Sequence, residues 1–145
     1  MPLNPSFLSI KDIDYLKQLK AKVYSVKLFE DKAGAPTPFK QRVYKTKFAK
    51  TDTRYIVCEL RLVHEIPRKH RLNFPLKAVL KDNSNNMLTD QTTNTYVEPQ
   101  WKRSHHSIGI GWNDYGKWLI GTYKIELYVG NKKVSEKMFE VFDTQ

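Results

Sequence analysis

The fold is decided by residues 118–142, which read WLIGTYKIELYVGNKKVSEKMFEVF. From Tyr123 to Val129 apolar residues alternate with polar ones, which is the period of a strand with one buried face. Gly130-Asn131 is a turn signal, and Val134 to Phe142 returns as a second strand. This stretch therefore predicts a β-hairpin.

The same period of two recurs upstream of the hairpin. The segments that show it are Val23–Phe29, Arg42–Phe48, Arg54–His64, Phe74–Leu80, Thr89–Val97 and His105–Trp112. Thr89–Val97 is polar and β-branched, which favours an exposed or edge strand. Short strands separated by turns, such as the one predicted at Asn83–Asn86, indicate a sandwich or a barrel rather than βαβ units.

Alternation also predicts which side chains face the core. In the first segment Tyr24, Val26 and Leu28 share one face. In the strongest segment the inward residues are Ile56, Cys58, Leu60 and Leu62, and the outward residues include Tyr55, Glu59 and Arg61. Cys58 is the only cysteine and is interpreted as a small, inert, buried residue.

The N-terminal region carries the one helix signal. Ser9 precedes Asp12 by three residues, and Ile10, Ile13, Leu16 and Leu19 follow a helical period. The pattern predicts a short amphipathic helix over residues 10–20. We therefore divide the chain into a lead with a helix, residues 1–22, and a β-sandwich domain, residues 23–145.

The C-terminal stretch resembles the end of immunoglobulin-like domains. Trp118, Gly121 and Tyr123, followed by Phe139 and Val141, carry this resemblance, which extends to fibronectin-like and bacterial accessory sandwiches. It implies an all-β, immunoglobulin-like antiparallel sandwich of about seven to nine strands. It also implies that Tyr123 hydrogen-bonds to upstream backbone and that Gly121 permits a tight approach. The two bridging cysteines of antibody domains are absent.

The formal net charge of +10 favours acidic partners. Our preferred hypothesis is a non-catalytic interaction or accessory module that binds another protein or another domain of a larger chain. The candidate contact residues are Lys45, Lys47, Arg54, Tyr55, Arg68, Lys69 and Arg71. If the strand of Lys45 and Lys47 neighbours that of Lys77 and Lys81, one sheet face becomes positive, with Tyr55 among the lysines.

The alternative is a carbohydrate- or single-stranded nucleic-acid-binding sandwich, because aromatic rings stack on sugars and bases and cations hold phosphates. The candidate aromatic site is Trp101, Trp112, Tyr115 and Trp118. Trp118 has a second interpretation, in which it fills the core beside Tyr123.

Catalytic, metal and cofactor sites are not predicted. There is no G-x-S-x-G elbow and no phosphate-binding glycine loop. His105 and His106 point to opposite faces of a strand and so do not share an ion. Gly109 and Gly111 are interpreted as a place where a bulky neighbour, Trp112 or Trp101, crosses the strand.

Two further features bear on location. No apolar run approaches the ~18 residues of a membrane span. Residues 1–10 contain no lysine or arginine and no long apolar run, so no secretory signal is predicted. Together with the single cysteine, this favours the cytoplasm, unless the chain is an excised domain.

Overall fold

The computed structural model describes residues 13–34, 37–65 and 69–144. This part of the chain has one α-helix, α1 (Tyr15–Gln18), and short 3₁₀ turns at Phe39–Gln41 and Lys50–Asp52. Its eight strands are β1 (Ala21–Asp31), β2 (Lys47–Ala49), β3 (Tyr55–His64), β4 (Leu72–Asp82), β5 (Met87–Val97), β6 (Arg103–Gly111), β7 (Gly121–Val129) and β8 (Lys132–Phe142). No helix in the described ranges has the length and apolar character needed to cross a membrane.

The strands form two packed sheets. One has the order β1-β3-β6, and the other has the order β2-β8-β7-β4-β5. Their sequence positions match the immunoglobulin arrangement, in which strands A, B and E oppose strands C, F and G. The chain is thus an all-β, immunoglobulin-like sandwich. One pairing departs from the predicted antiparallel pattern, since β2 runs parallel to β8.

The core lies between the sheets and follows the predicted alternation. Cys58 is fully buried between the sheets, as are its inward neighbours on β3. The Tyr123 hydroxyl donates to the Leu119 carbonyl oxygen at 2.5 Å, which is the corner bond that the resemblance implied. Ile125, two residues later, occupies the place of the second bridging cysteine of antibody domains, so apolar packing replaces that covalent link.

Three local predictions are corrected. A register shift between Val23 and Ser25 turns Tyr24 outward, so it does not share the buried face of Val26 and Leu28. The strand predicted over Arg42–Phe48 shrinks to β2 and one isolated bridge between Tyr44 and Phe29. Helix α1 is a single turn capped by Asp14, whereas Ser9 and Asp12 lie outside the described residues.

A close approach of neighbouring backbone was predicted at Gly121, but the structure has it at Gly111. A Cβ on Gly121 would meet no atom within 4 Å, but one on Gly111 would lie 2.2 Å from the Arg54 carbonyl oxygen. Gly109 is crossed by the side chains of Val57 and Tyr55, not by a tryptophan. The two glycines of β6 therefore serve its packing against β3.

Candidate interaction surface

The segment that leads from β1 to β2, residues 37–46, covers the outer face of the three-stranded sheet, and we call it the crossover segment. Glu59 points to this outer face, as predicted, but it is only 1% exposed because the segment covers it. Its carboxylate accepts from the Tyr44 hydroxyl at 2.5 Å and pairs with Arg61 at 3.2 Å and Arg42 at 3.5 Å. Burial and the neighbouring Glu59 raise the pKa of Tyr44. This ion cluster holds the segment on the sheet.

A second polar cluster lies between the sheets. The Ser104 hydroxyl is 2.7 Å from His64 Nε2 and 2.8 Å from His106 Nε2, and His106 Nδ1 is 2.7 Å from the Thr95 hydroxyl. Burial lowers the pKa of His106 to about 4, so the ring is neutral near pH 7. Both His106 ring nitrogens already have hydrogen-bond partners. This row of hydrogen bonds therefore links β3, β6 and β5 and leaves no ring nitrogen of His106 for a reaction.

The outer face of the five-stranded sheet does not form the positive surface that was predicted for the case in which the two lysine-bearing strands are neighbours. β8 and β7 separate β2 from β4, so Lys45 and Lys47 do not neighbour Lys77 and Lys81. Lys81 pairs with the buried Glu126 at 3.1 Å. Although burial opposes ionisation, hydrogen bonds from lysines and Tyr128 bring the pKa of Glu126 down to about 2. The charges of this face are therefore largely compensated.

The predicted contact residues do not form one surface. Arg54 and Tyr55 lie where β3 begins, and Arg54 donates to Glu30 at 2.8 Å. Lys69 and Arg71 lie beyond the other end of β3, about 30 Å away by strand length. Lys45 and Lys47 are exposed on the chain that enters β2. Arg68 is outside the described residues.

The predicted aromatic site also divides. Trp118 is a core residue whose Nε1 donates to the Arg54 carbonyl oxygen at 2.7 Å, and it packs beside Tyr123. Trp112 and Tyr115 are half-exposed near it, after the end of β6. Trp101 precedes β6 and packs on Tyr96 at the other end of the molecule.

One end of the sandwich concentrates positive charge, and we call it the basic end. Here β1, β4 and β6 begin, β3 and β5 end, and Gly130-Asn131 connects β7 to β8. Among the described residues its eight exposed cations are Lys17, Lys20, Lys22, Lys69, Arg71, Lys102, Arg103 and Lys132, and its carboxylates are Asp14, Glu65 and Glu98. Within the described residues Arg71 alone of these cations forms an ion pair, with Glu98.

The opposite end has no such excess of cations. Among the described residues its carboxylates are Glu30, Asp31, Asp52, Asp82, Asp114 and Asp143, of which Asp31 is buried, and its cations are Lys32, Lys50, Arg54, Lys117 and Lys124. Glu30 and Arg54 neutralise each other there. The unpaired positive charge of the described chain is therefore concentrated at the basic end.

A groove of about 460 Å³ opens on the outer face of the three-stranded sheet beside the basic end. Arg61 and Val63 of β3 form its floor, and Val63 is 39% exposed. Its other lining residues are Tyr24, Phe39, Leu62, Trp101, Arg103, Ser104 and His105. Phe39 stacks on His105 at 4.8 Å, and the Arg61 guanidinium lies 4.3 Å from the Phe39 ring. Among the described residues no carboxylate lines the groove.

Sequence reasoning missed the two buried polar clusters for different reasons. His64 and His106 continue the inward parity of Leu62 and Ile108, so strict alternation contained their signal. The burial of Glu59 had no signal in the sequence pattern, because it depends on how the crossover segment, fifteen residues away at Tyr44, packs on the sheet.

No protein-family model matches the chain, and no curated protein sequence matches it. Among solved structures, the alkylpurine DNA glycosylase AlkC of Pseudomonas fluorescens, bound to DNA with an abasic-site analogue, aligns at 9% identity with a TM-score of 0.50. The alignment covers 85% of this chain and 30% of the glycosylase chain. This likeness shows a shared fold alone.

Two further solved structures have lower scores. An immunoglobulin-like protein of Pseudomonas aeruginosa is 10% identical, with a TM-score of 0.49 and coverage of 86% of this chain and 98% of that one. A β-glucosidase of Listeria innocua, in complex with glucose, is 7% identical, with a TM-score of 0.47 and coverage of 83% and 15%.

Proposed function

We propose that this protein is a non-catalytic interaction module that docks an acidic segment of a partner protein, or of another domain of a larger chain, on its basic end. The observation that carries the proposal is the concentration of exposed cations at one end of the sandwich. Charges of one sign gathered on one surface steer an oppositely charged partner and fix its orientation. The basic end also carries the connections that correspond to the B–C and F–G loops, which bind antigen in antibody variable domains.

The three titratable groups with the largest pKa shifts support a non-catalytic role, whereas His105, whose pKa is lowered by burial, lines the groove. Such groups mark catalytic sites when they lie in a cleft beside an accessible reacting position. Here Glu126 is engaged in ion pairs, His106 lies between the sheets, and burial raises the pKa of Cys58 to about 12. Each of these groups is enclosed by its own partners or by the core.

The test uses a fluorescent glutamate homopolymer as probe and compares two variants of equal net charge. One replaces Lys20, Lys22 and Lys132 of the basic end with glutamine. The matched control makes the same replacement at Lys32, Lys50 and Lys117 of the opposite end. Loss of three direct contacts predicts about a tenfold weaker Kd for the first variant at physiological salt. The control is expected to bind like the wild type.

Three results would contradict the proposal. Equal weakening in both variants would mean that net charge alone attracts the probe. Tighter binding of an oligothymidylate than of the glutamate polymer, at the same salt, would favour the nucleic-acid alternative. A panel of oligosaccharides that quenches tryptophan fluorescence would likewise favour the carbohydrate alternative.

A further inference from the structure

Strand β6 is an edge strand with one partner. In the three-stranded sheet it pairs with β3, and no other described strand pairs with its second side. In constant-type immunoglobulin domains a fourth strand, D, lies beside the strand equivalent to β6. The sheet therefore has an open edge where related architectures place another strand.

The register shows which backbone groups face this edge. His64 N–H donates to the Lys102 carbonyl oxygen at 2.8 Å, and Trp112 N–H donates to that of Arg54 at 3.4 Å. Hydrogen-bonding residues alternate along an antiparallel strand, so the even-numbered residues of β6 bond to β3. The N–H and C=O groups of Arg103, His105, Ser107 and Gly109 consequently point away from β3.

The groove lies on the outer face of the sheet, with β6 as its side nearest the open edge and Tyr24 of β1 on its far side. Arg103 and His105, whose backbone groups point outward, also place their side chains in the groove. Its floor and walls are apolar at Val63, Tyr24 and Phe39, and Tyr24 is 70% exposed. An aromatic side chain suits such a site, because buried aromatic anchors dominate interface energetics.

We propose that an extended acidic segment of the partner adds to the edge of β6 and inserts an aromatic side chain into the groove. This inference rests on the proposed function, because the acidic character of the segment follows from the basic end. Backbone pairing supplies affinity in such strand addition, and the side-chain groove supplies specificity. Arg103 is exposed and forms no ion pair within the described residues, so it faces a carboxylate of the added segment.

The test uses a synthetic heptapeptide with phenylalanine at its centre, glutamate two residues to either side of it and valine at the other four positions, so that glutamate and phenylalanine share one face of the strand. Amide hydrogen exchange is measured residue by residue, with and without the peptide. The amides of Arg103, His105 and Ser107 are expected to exchange fast in the free protein and at least about tenfold more slowly in the complex. Those of His106 and Ile108 are internal controls, because they bond to β3 in both states.

Two matched reagents separate strand addition from other modes of binding. A peptide methylated on alternate backbone nitrogens keeps its charge and phenylalanine but cannot complete the pairing, and it is expected to bind about tenfold more weakly. The variant His105→Pro removes an outward N–H, whereas His105→Ala keeps it, so the proline variant is expected to bind more weakly than the alanine variant.

Equal binding of the methylated and unmethylated peptides would overturn the inference, as would unchanged exchange at Arg103 and His105. If the heptapeptide does not bind while the glutamate polymer still requires Lys20, Lys22 and Lys132, strand addition is wrong and the docking role of the basic end stands. If neither probe needs the basic end, both proposals fail.

Discussion

Gly111 and Gly121 have similar backbone φ angles, +154° and +158°, but different surroundings. Alanine at Gly111 would place its Cβ against the Arg54 carbonyl oxygen, whereas alanine at Gly121 meets open space. Because both alanine substitutions have the same cost from the backbone dihedral angle, the difference in stability between the two variants measures the steric contact at Gly111. We predict that Gly111→Ala lowers the free energy of unfolding by about 1–3 kcal/mol more than Gly121→Ala does, measured by urea denaturation. Equal costs would place the strain in the dihedral angle.

His106 predicts a specific pH dependence of stability. Its folded pKa of about 4 lies below the ordinary value of 6.5, so the unfolded chain binds the proton first. The free energy of unfolding should therefore fall as the pH drops from about 6.5 to about 4, by about 3 kcal/mol from this group.

Urea denaturation across that pH window tests the assignment to His106. His106→Gln should flatten the pH dependence, whereas His70→Gln, at an exposed site, should leave it unchanged. If both variants keep the wild-type pH dependence, another group is responsible.

At the scale of elements, the crossover segment depends on a buried carboxylate. Glu59→Gln would leave Arg42 and Arg61 without their counter-charge, and breaking a buried pair typically costs about 3 kcal/mol or more. We predict a loss of that size in the free energy of unfolding, with faster proteolysis within residues 37–46. Asp90→Asn is the control, because Asp90 pairs with Lys77 in an exposed setting and should cost about 1 kcal/mol or less. Similar losses in both variants would contradict this role of Glu59.

The strands that alternate cleanly were the predictable elements. β7 and β8, and the inward residues of β3, follow from local pattern because one buried face imposes a period of two. The outward position of Tyr24 was not predicted, because a bulge between Val23 and Ser25 adds one residue to the strand and turns the Tyr24 side chain to the outer face. The position of the crossover segment was not predicted, because it is set by contacts with Glu59 that a local sequence pattern does not encode.

At the scale of the whole molecule, the charge was predictable and its placement was not. The sequence contains the cations, but the predicted contact residues Arg54 and Lys69 lie near opposite ends of β3. Lys132 is far from Lys20 and Lys22 in the chain, and these lysines meet only because β1 and β8 begin at the end where β3 terminates. Assembling the basic end therefore requires the strand order.

The basic end as a docking surface is the central claim, and lysine footprinting tests it most directly. The protein is acetylated with and without the glutamate polymer, and each lysine is quantified by mass spectrometry. The account predicts that Lys20, Lys22 and Lys132 become protected while Lys32, Lys50 and Lys117 keep their reactivity. Uniform protection of both groups, or protection confined to the opposite end, would contradict it.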